Sequence, residues 1–170
     1  GVMMFRWGLS NFIDFNKLNT HEITPSYGDS VSINSILAAS ASLKKYIEDK
    51  GVLPKFVTVG NFNYTVPQFL YLMTKATEGI ANGNLKAITA ILVNASSKTS
   101  GDVINKQLVK SEFVSLAKTL SSYMSANGIA PGNVSSTLGD IKYESLIYAY
   151  ARVLSYYQSN SALPNFVFVT

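Results

Sequence analysis

The stretch LKKYIEDKGVLPKFV, residues 43–57, decides the fold, because a related stretch, VLSYYQSNSALPNFV, occupies residues 153–167. In both stretches a tyrosine precedes a proline by eight residues (54−46 and 164−156), and Leu-Pro-x-Phe-Val continues the match. A third stretch, LSSYMSANGIAP at residues 120–131, keeps the same spacing (131−123). Self-similarity of this kind predicts a repeat architecture.

The prolines give the period of the repeat. Pro131 and Pro164 are 33 residues apart, and Pro54 and Pro131 are 77 apart, which equals two periods plus 11 residues. We therefore expect a degenerate copy at residues 85–127, with Ala90 at the tyrosine position and Lys98 at the proline position. Eleven residues make three helical turns, so the insertion predicts a lengthened helix. The chain then divides into a degenerate N-terminal unit (1–32), the best-matching repeat (33–84), a degenerate repeat with a helix extension (85–127) and the C-terminal repeats (128–170), of which the last is truncated.

Each unit is predicted to contain a helix, a tight turn and a short β-hairpin that leads into the next helix. Apolar spacing predicts the first such helix over 34–50, and Gly51 supplies the left-handed conformation that ends a helix. Thr65 and Gln68 have the spacing of a capping box before the next helix. Further helices are expected at 9–18, 67–82, 85–93, 111–126 and 143–159, and strands at 56–59 and 62–64.

A unit of about 33 residues cannot bury its apolar face alone, so neighbouring units must stack. The predicted fold class is therefore mainly α (α+β), with tandem helix–short β-hairpin–helix repeats stacked into one elongated domain. The segment Phe166–Thr170 is expected to be the first strand of a further unit in a longer multidomain protein. The alternative is that this strand completes a sheet.

The composition excludes several functional classes. The chain has 170 residues, is 47% hydrophobic and only 14% charged, and its net charge of +4 is scattered, which argues against nucleic-acid binding. No apolar run is long enough to span a membrane. There is no cysteine and a single histidine, His21, and we find neither a nucleophile elbow nor a phosphate-binding loop. We therefore expect no catalytic residues, no metal and no cofactor, and a non-catalytic binding or structural role.

The repeat resembles a known family. Residues 36–57, followed by the segment YTVPQFLYL at 64–72, closely resemble the pseudomurein-binding repeat of archaeal surface proteins and of viral enzymes that cleave the pseudomurein wall of methanogens. The resemblance implies an extracellular or cell-surface protein whose partner is pseudomurein, a polymer of N-acetylated sugars cross-linked by peptides. Two alternatives stay open: a structural stalk or adhesin segment that binds no wall polymer, and an unrecognised hydrolase.

The family resemblance implies no contact residues, so we choose candidates by physical argument. Flat rings suit sugar faces, and amides satisfy hydroxyl and N-acetyl groups. The repeated tyrosines Tyr46, Tyr123 and Tyr156 are expected to pack inward beside leucines. The candidates for ligand binding are turn, hairpin and helix residues expected to be exposed: Lys55, Asn61, Asn63, Tyr64, Tyr71, Tyr148, Tyr150, Tyr157 and Asn165.

Overall fold

The computed structural model of this protein describes residues 24–170. The predicted helix at 9–18 and His21 lie outside the described residues. The described part is an α+β mixture of four helices and eight short strands. In chain order these are β1 (Ser30–Val31), α1 (Ile33–Lys50), β2 (Phe56–Val59), β3 (Phe62–Thr65), α2 (Val66–Ala81), β4 (Ile88–Thr89), β5 (Lys106–Val109), α3 (Lys110–Asn127), β6 (Asn133–Ser136), β7 (Gly139–Lys142), α4 (Tyr143–Asn160) and β8 (Phe166–Val169).

The helix ends follow the predicted capping chemistry. The Thr65 hydroxyl accepts a hydrogen bond from the Gln68 N–H while the Gln68 side chain accepts one from the Thr65 N–H, so the capping box is confirmed. Gly51 ends α1 with a left-handed φ of 72°, as predicted. At the end of α4 this position is held by Ser161, which adopts φ 56° without the help of a glycine.

The strands form four antiparallel pairs, two of them hairpins and two between segments distant in sequence. The hairpins are β2–β3 and β6–β7. Strand β8 pairs with β5, which precedes α3, and β4 pairs with β1, which precedes α1. In each of the four pairs a buried residue stands immediately before the residue that caps the next helix: Val31, Tyr64, Leu108 and Ile141. The terminal strand therefore has a partner within the chain.

The helix prediction for residues 85–93 was wrong, and Ala90, expected at the tyrosine position of a helix, lies in an extended segment. The helix expected over 85–93 does not form, because α2 ends at Ala81 and the chain then runs extended through β4. The inserted residues instead make a connection that crosses the outside of the β6–β7 hairpin. There the Asp102 N–H donates to the Asp140 carbonyl at 2.8 Å, and the Asp102 carboxylate accepts from the Asp140 N–H at 2.8 Å.

One core joins the four helices. Helix α1 packs mainly against α4, and α2 packs mainly against α3 and also touches α4. The large buried side chains at its centre include Phe69, Phe113, Leu120 and Tyr150. Within residues 24–170 no helix is both long and apolar enough to cross a membrane. The stacking of tandem units into one elongated domain stays a prediction.

Candidate functional site

An open groove lies at the junction between the C-terminal end of α1 and strand β2. Pro54 ends the turn after the helix, and the strand then runs back beside the last helical turns, leaving a cleft of about 250 Å³. Tyr46 and Phe56 line this cleft and remain 38% and 41% exposed. Buried Leu43 and Val57 also line it. The result is an apolar groove with two aromatic rings open to solvent.

A second groove lies at the equivalent junction of α4 and β8. Tyr156, Pro164 and Phe166 occupy the places of Tyr46, Pro54 and Phe56, and the cleft measures about 430 Å³. The two rings are 46% and 45% exposed. Lys44 and Arg152 also line this groove, so that it offers cationic groups beside the rings.

The third groove lies between α3 and β6, with a volume of about 600 Å³. Tyr123 and Pro131 keep their places here, but Asn133 stands where the other two grooves have phenylalanine. The connection that follows β4 adds Lys98 to the lining. This groove therefore offers one exposed ring together with an amide and an ammonium group.

The positions of the repeated tyrosines correct the sequence analysis. Tyr46, Tyr123 and Tyr156 were expected to pack inward, and all three are exposed. Each lies on the apolar side of its helix but in the last turns, where a short strand is the neighbour instead of a second helix. The strand leaves part of the ring open to solvent. The conserved spacing of tyrosine and proline within the chain was the signal that could have identified these residues.

Three of the proposed contact residues are buried, so the expectation that they are exposed was wrong. Tyr64 donates a hydrogen bond to the Asp29 carboxylate at 2.8 Å, and Tyr150 donates one to the Phe113 carbonyl at 2.6 Å. Burial raises the pKa of both phenols well above the ordinary tyrosine value. Tyr71 is only 8% exposed, also with a raised pKa caused first by desolvation. Tyr64 and Tyr150 are therefore residues of the hydrophobic core and not exposed contact residues.

The other proposed residues are at least partly accessible. Lys55, Asn61, Asn63 and Asn165 are exposed, while Tyr148 and Tyr157 are half-buried. Lys55 and Asn165 each follow the groove proline directly in sequence. Asn63 does not line the first groove but contacts Thr58, which does. The Thr58 hydroxyl donates a hydrogen bond to the Asn63 Oδ1 at 2.7 Å. The structure does not bring Asn61 into any of the three grooves.

A polar network stands beside the second groove. The Arg152 guanidinium lies over the Tyr148 ring, 4.0 Å from its centroid, and also donates to the Phe168 carbonyl. The Tyr148 hydroxyl donates to the Glu48 carboxylate at 2.8 Å, and Lys44 pairs with the same carboxylate at 3.2 Å. These contacts hold two cations next to the exposed rings. Within residues 24–170 no cluster of side chains is suited to binding a metal ion.

Comparison with protein families identifies part of this architecture. Residues 137–169 match the family described as the pseudomurein-binding repeat. The segment is similar to a pseudomurein-binding repeat. It includes α4 and β8, and with them Tyr156, Pro164 and Phe166 of the second groove. The resemblance noted in the sequence is thereby confirmed for these residues. A search of curated proteins found no match to the chain.

Proposed function

We propose that this protein is a non-catalytic cell-wall-binding module that attaches to pseudomurein through the three aromatic grooves. The observation that carries the proposal is that the pseudomurein-binding repeat at residues 137–169 contains the ring pair of the second groove. The same tyrosine–proline spacing builds the groove after α1 and the groove after α3.

The groove chemistry supports a glycan ligand. An exposed aromatic ring beside a proline offers a flat apolar surface, which suits the apolar face of a sugar ring. Around the rings stand hydroxyl and amide groups such as Ser42, Thr119 and Asn160, which can bond to hydroxyl and N-acetyl groups. Lys44, Lys98 and Arg152 can bind carboxylates through charge-assisted hydrogen bonds.

Recurrence of the groove supports multivalent binding. A long polymer that occupies one groove raises the effective concentration of its next segment at another groove, so weak sites combine into firm attachment. We infer that the helix–hairpin units act as a tandem array in this sense. On this proposal the protein works outside the cell, at the wall or the cell surface, and anchors a larger protein there.

The exposed residues predicted from sequence take a secondary place in this proposal. Lys55 and Asn165 are proposed as rim contacts, since they adjoin the groove prolines. Tyr148 is proposed to act by holding Arg152 beside the second groove. Asn61, Asn63 and Tyr157 remain candidates outside the grooves.

The test is retention of the purified chain on purified pseudomurein, with bacterial murein as the control polymer. We expect retention on pseudomurein alone. Tyr156→Ala should weaken binding about tenfold, as loss of a central aromatic contact does in other interfaces. The triple variant of Tyr46, Tyr123 and Tyr156 to alanine should release the protein almost completely, because all three sites are weakened together.

Phe62→Ala is the matched control, because Phe62 is also 42% exposed but lines none of the three grooves. Its retention should equal that of the unaltered protein. Equal retention on pseudomurein and murein, or no retention on either, would contradict the proposal and favour a structural stalk. Release of soluble wall fragments by the protein would contradict its non-catalytic character.

A further inference from the structure

The junction between α2 and β4 holds a groove at the same place in the unit, but with different side chains. Gly79 and Ala87 stand where the first groove has Tyr46 and Phe56, and the cleft measures about 460 Å³. Gly79 is required here because a Cβ would lie 2.6 Å from the Asn84 carbonyl oxygen. The Asn84 N–H donates to the Gly79 carbonyl at 2.8 Å and closes this tight turn. This turn stands where the other grooves have their proline, and both aromatic positions of the groove are here occupied by residues without a ring.

Charged and amide groups take the place of the rings. The lining includes Lys75, Glu78, Lys86, Asn82 and Asn84. Within residues 24–170 the ion pairs are Lys44–Glu48 and Lys45–Asp49, so neither Lys75 nor Lys86 is paired with a carboxylate. Glu78 accepts a hydrogen bond from the Ser121 hydroxyl at 3.2 Å and keeps further acceptor capacity. The groove thus offers two ammonium groups and one carboxylate to a ligand.

Tyr71 gives an independent sign that this groove is a binding site. The side chain lines the groove and is only 8% exposed, yet its hydroxyl makes no hydrogen bond to any residue between 24 and 170. Among the other buried tyrosines, Tyr64 and Tyr150 both have a partner. Tyr143 is also buried and its hydroxyl has no partner within residues 24–170, but it does not line this groove. A buried hydroxyl without a partner is unfavourable, so a ligand that bonds to it gains affinity.

We infer that this groove binds a short acidic peptide. A ligand carboxylate would accept from Lys75 and Lys86, and peptide N–H groups would donate to Glu78 and to the amide oxygen of Asn82, because the Asn84 amide oxygen already accepts from the Lys86 N–H at 3.0 Å. The Tyr71 hydroxyl would bond to a peptide carbonyl. A volume of about 460 Å³ is in the ordinary range of small-ligand pockets. This inference goes beyond the wall-binding proposal, because the aromatic grooves take no part in it.

The test is a titration of the full chain with acetyl-Gly-Glu-Gly-amide, followed by two-dimensional NMR of the backbone amides. We expect shifts at residues lining the groove, and at least tenfold weaker binding of the glutamine counterpart acetyl-Gly-Gln-Gly-amide. The double variant Lys75→Ala and Lys86→Ala should weaken binding of the glutamate peptide about tenfold. Tyr71→Phe should weaken it about threefold.

Lys118→Ala is the control variant, because Lys118 is exposed on α3 and does not line this groove. It should leave the affinity unchanged. Equal binding of the two peptides, equal loss in the Lys118 variant, or no shift in the groove would overturn the inference. Glucuronic acid binding as tightly as the glutamate peptide would overturn the assignment to a peptide. Retention on pseudomurein is measured separately and does not depend on these outcomes.

Discussion

Val167 lies directly opposite Leu108 across the β5–β8 pair, and both side chains are buried. The two residues belong to strands at opposite ends of the segment that contains α3 and α4. The same strand pair is held at its end by the Lys110 N–H, which donates to the Asn165 carbonyl at 2.9 Å. The groove residue Phe166 therefore owes its position to a pairing between distant parts of the chain.

The first prediction concerns this pairing. Val167→Ala removes buried methyl groups that face Leu108, and should lower the free energy of unfolding by about 2 kcal/mol in a urea titration. Gln107→Ala, at an exposed position of the partner strand β5, should change it by less than about 0.5 kcal/mol. Similar losses in the two variants would show that the buried contact is not what holds β8 in place.

The second prediction concerns Gln68, a polar side chain that is only 1% exposed. Its Nε2 donates to the Ser26 carbonyl at 2.7 Å and to the Ile91 carbonyl at 3.0 Å, so it joins the start of α2 to two segments distant in sequence. Gln68→Ala leaves these carbonyls without a donor and should cost about 2–3 kcal/mol of unfolding free energy in thermal or urea denaturation.

Exposed Gln158 on α4 offers a matched control. Gln158→Ala should leave the unfolding midpoint within error of the unaltered protein. If Gln68→Ala behaves the same way, the capping box and its two carbonyl contacts contribute nothing measurable to stability.

The third prediction concerns the close approach of Gly132 to the inserted connection. A Cβ at Gly132 would lie 2.2 Å from the Lys98 carbonyl oxygen, which is backbone and cannot move alone. Gly132→Ala should therefore displace the connection and lower the unfolding free energy by about 1–3 kcal/mol. Amide hydrogen exchange at Asp102, whose N–H bonds to the Asp140 carbonyl, should become faster.

Lys55 stands at the corresponding position after Pro54 and serves as the control. Lys55→Ala should leave stability unchanged, because Lys55 is exposed and already carries a Cβ. Unchanged exchange at Asp102 in the Gly132 variant would show that the connection is not held against the hairpin in this way.

The fourth prediction concerns Glu48 and pH. The hydrogen bond from Tyr148 is the main cause that holds the Glu48 pKa below the ordinary glutamate value of 4.5, with further lowering from Lys44 and Arg152. A carboxyl group whose pKa is lowered by folding stabilises the folded state above the unfolded pKa, and this contribution is lost as pH falls through the folded pKa. Stability should therefore decrease as pH drops below about 4.5.

Tyr148→Phe provides the measurement for Glu48. NMR titration of the Glu48 side chain should give a higher pKa in this variant, and the decrease of stability at acid pH should become smaller. Tyr157→Phe should leave the Glu48 titration as it is, because Tyr157 makes no contact that affects Glu48. An unchanged Glu48 pKa in the Tyr148 variant would refute the assigned cause.

Local structure could be predicted from the sequence with good success where short-range chemistry decides it. The ends of α1 and α2 follow from Gly51 and from the Thr65–Gln68 box, because caps depend on residues within one turn. The residues 85–93 could not be predicted in this way. Their apolar character is compatible with a helix, but Gly79 and Asn84 form a tight turn, and the chain then pairs with β1 far upstream.

The candidate site, like the fold, could be predicted from the sequence only in part. The recurrence of tyrosine, proline and Phe-Val was set by the amino-acid sequence alone, since it follows from local spacing. Which tyrosines are exposed was decided only by tertiary structure: Tyr150 lies between helices and is buried, whereas Tyr156, six residues later, lies beyond the helix packing and faces a short strand. Exposure depends on what the rest of the chain places beside a residue, and periodicity within one helix does not contain that information.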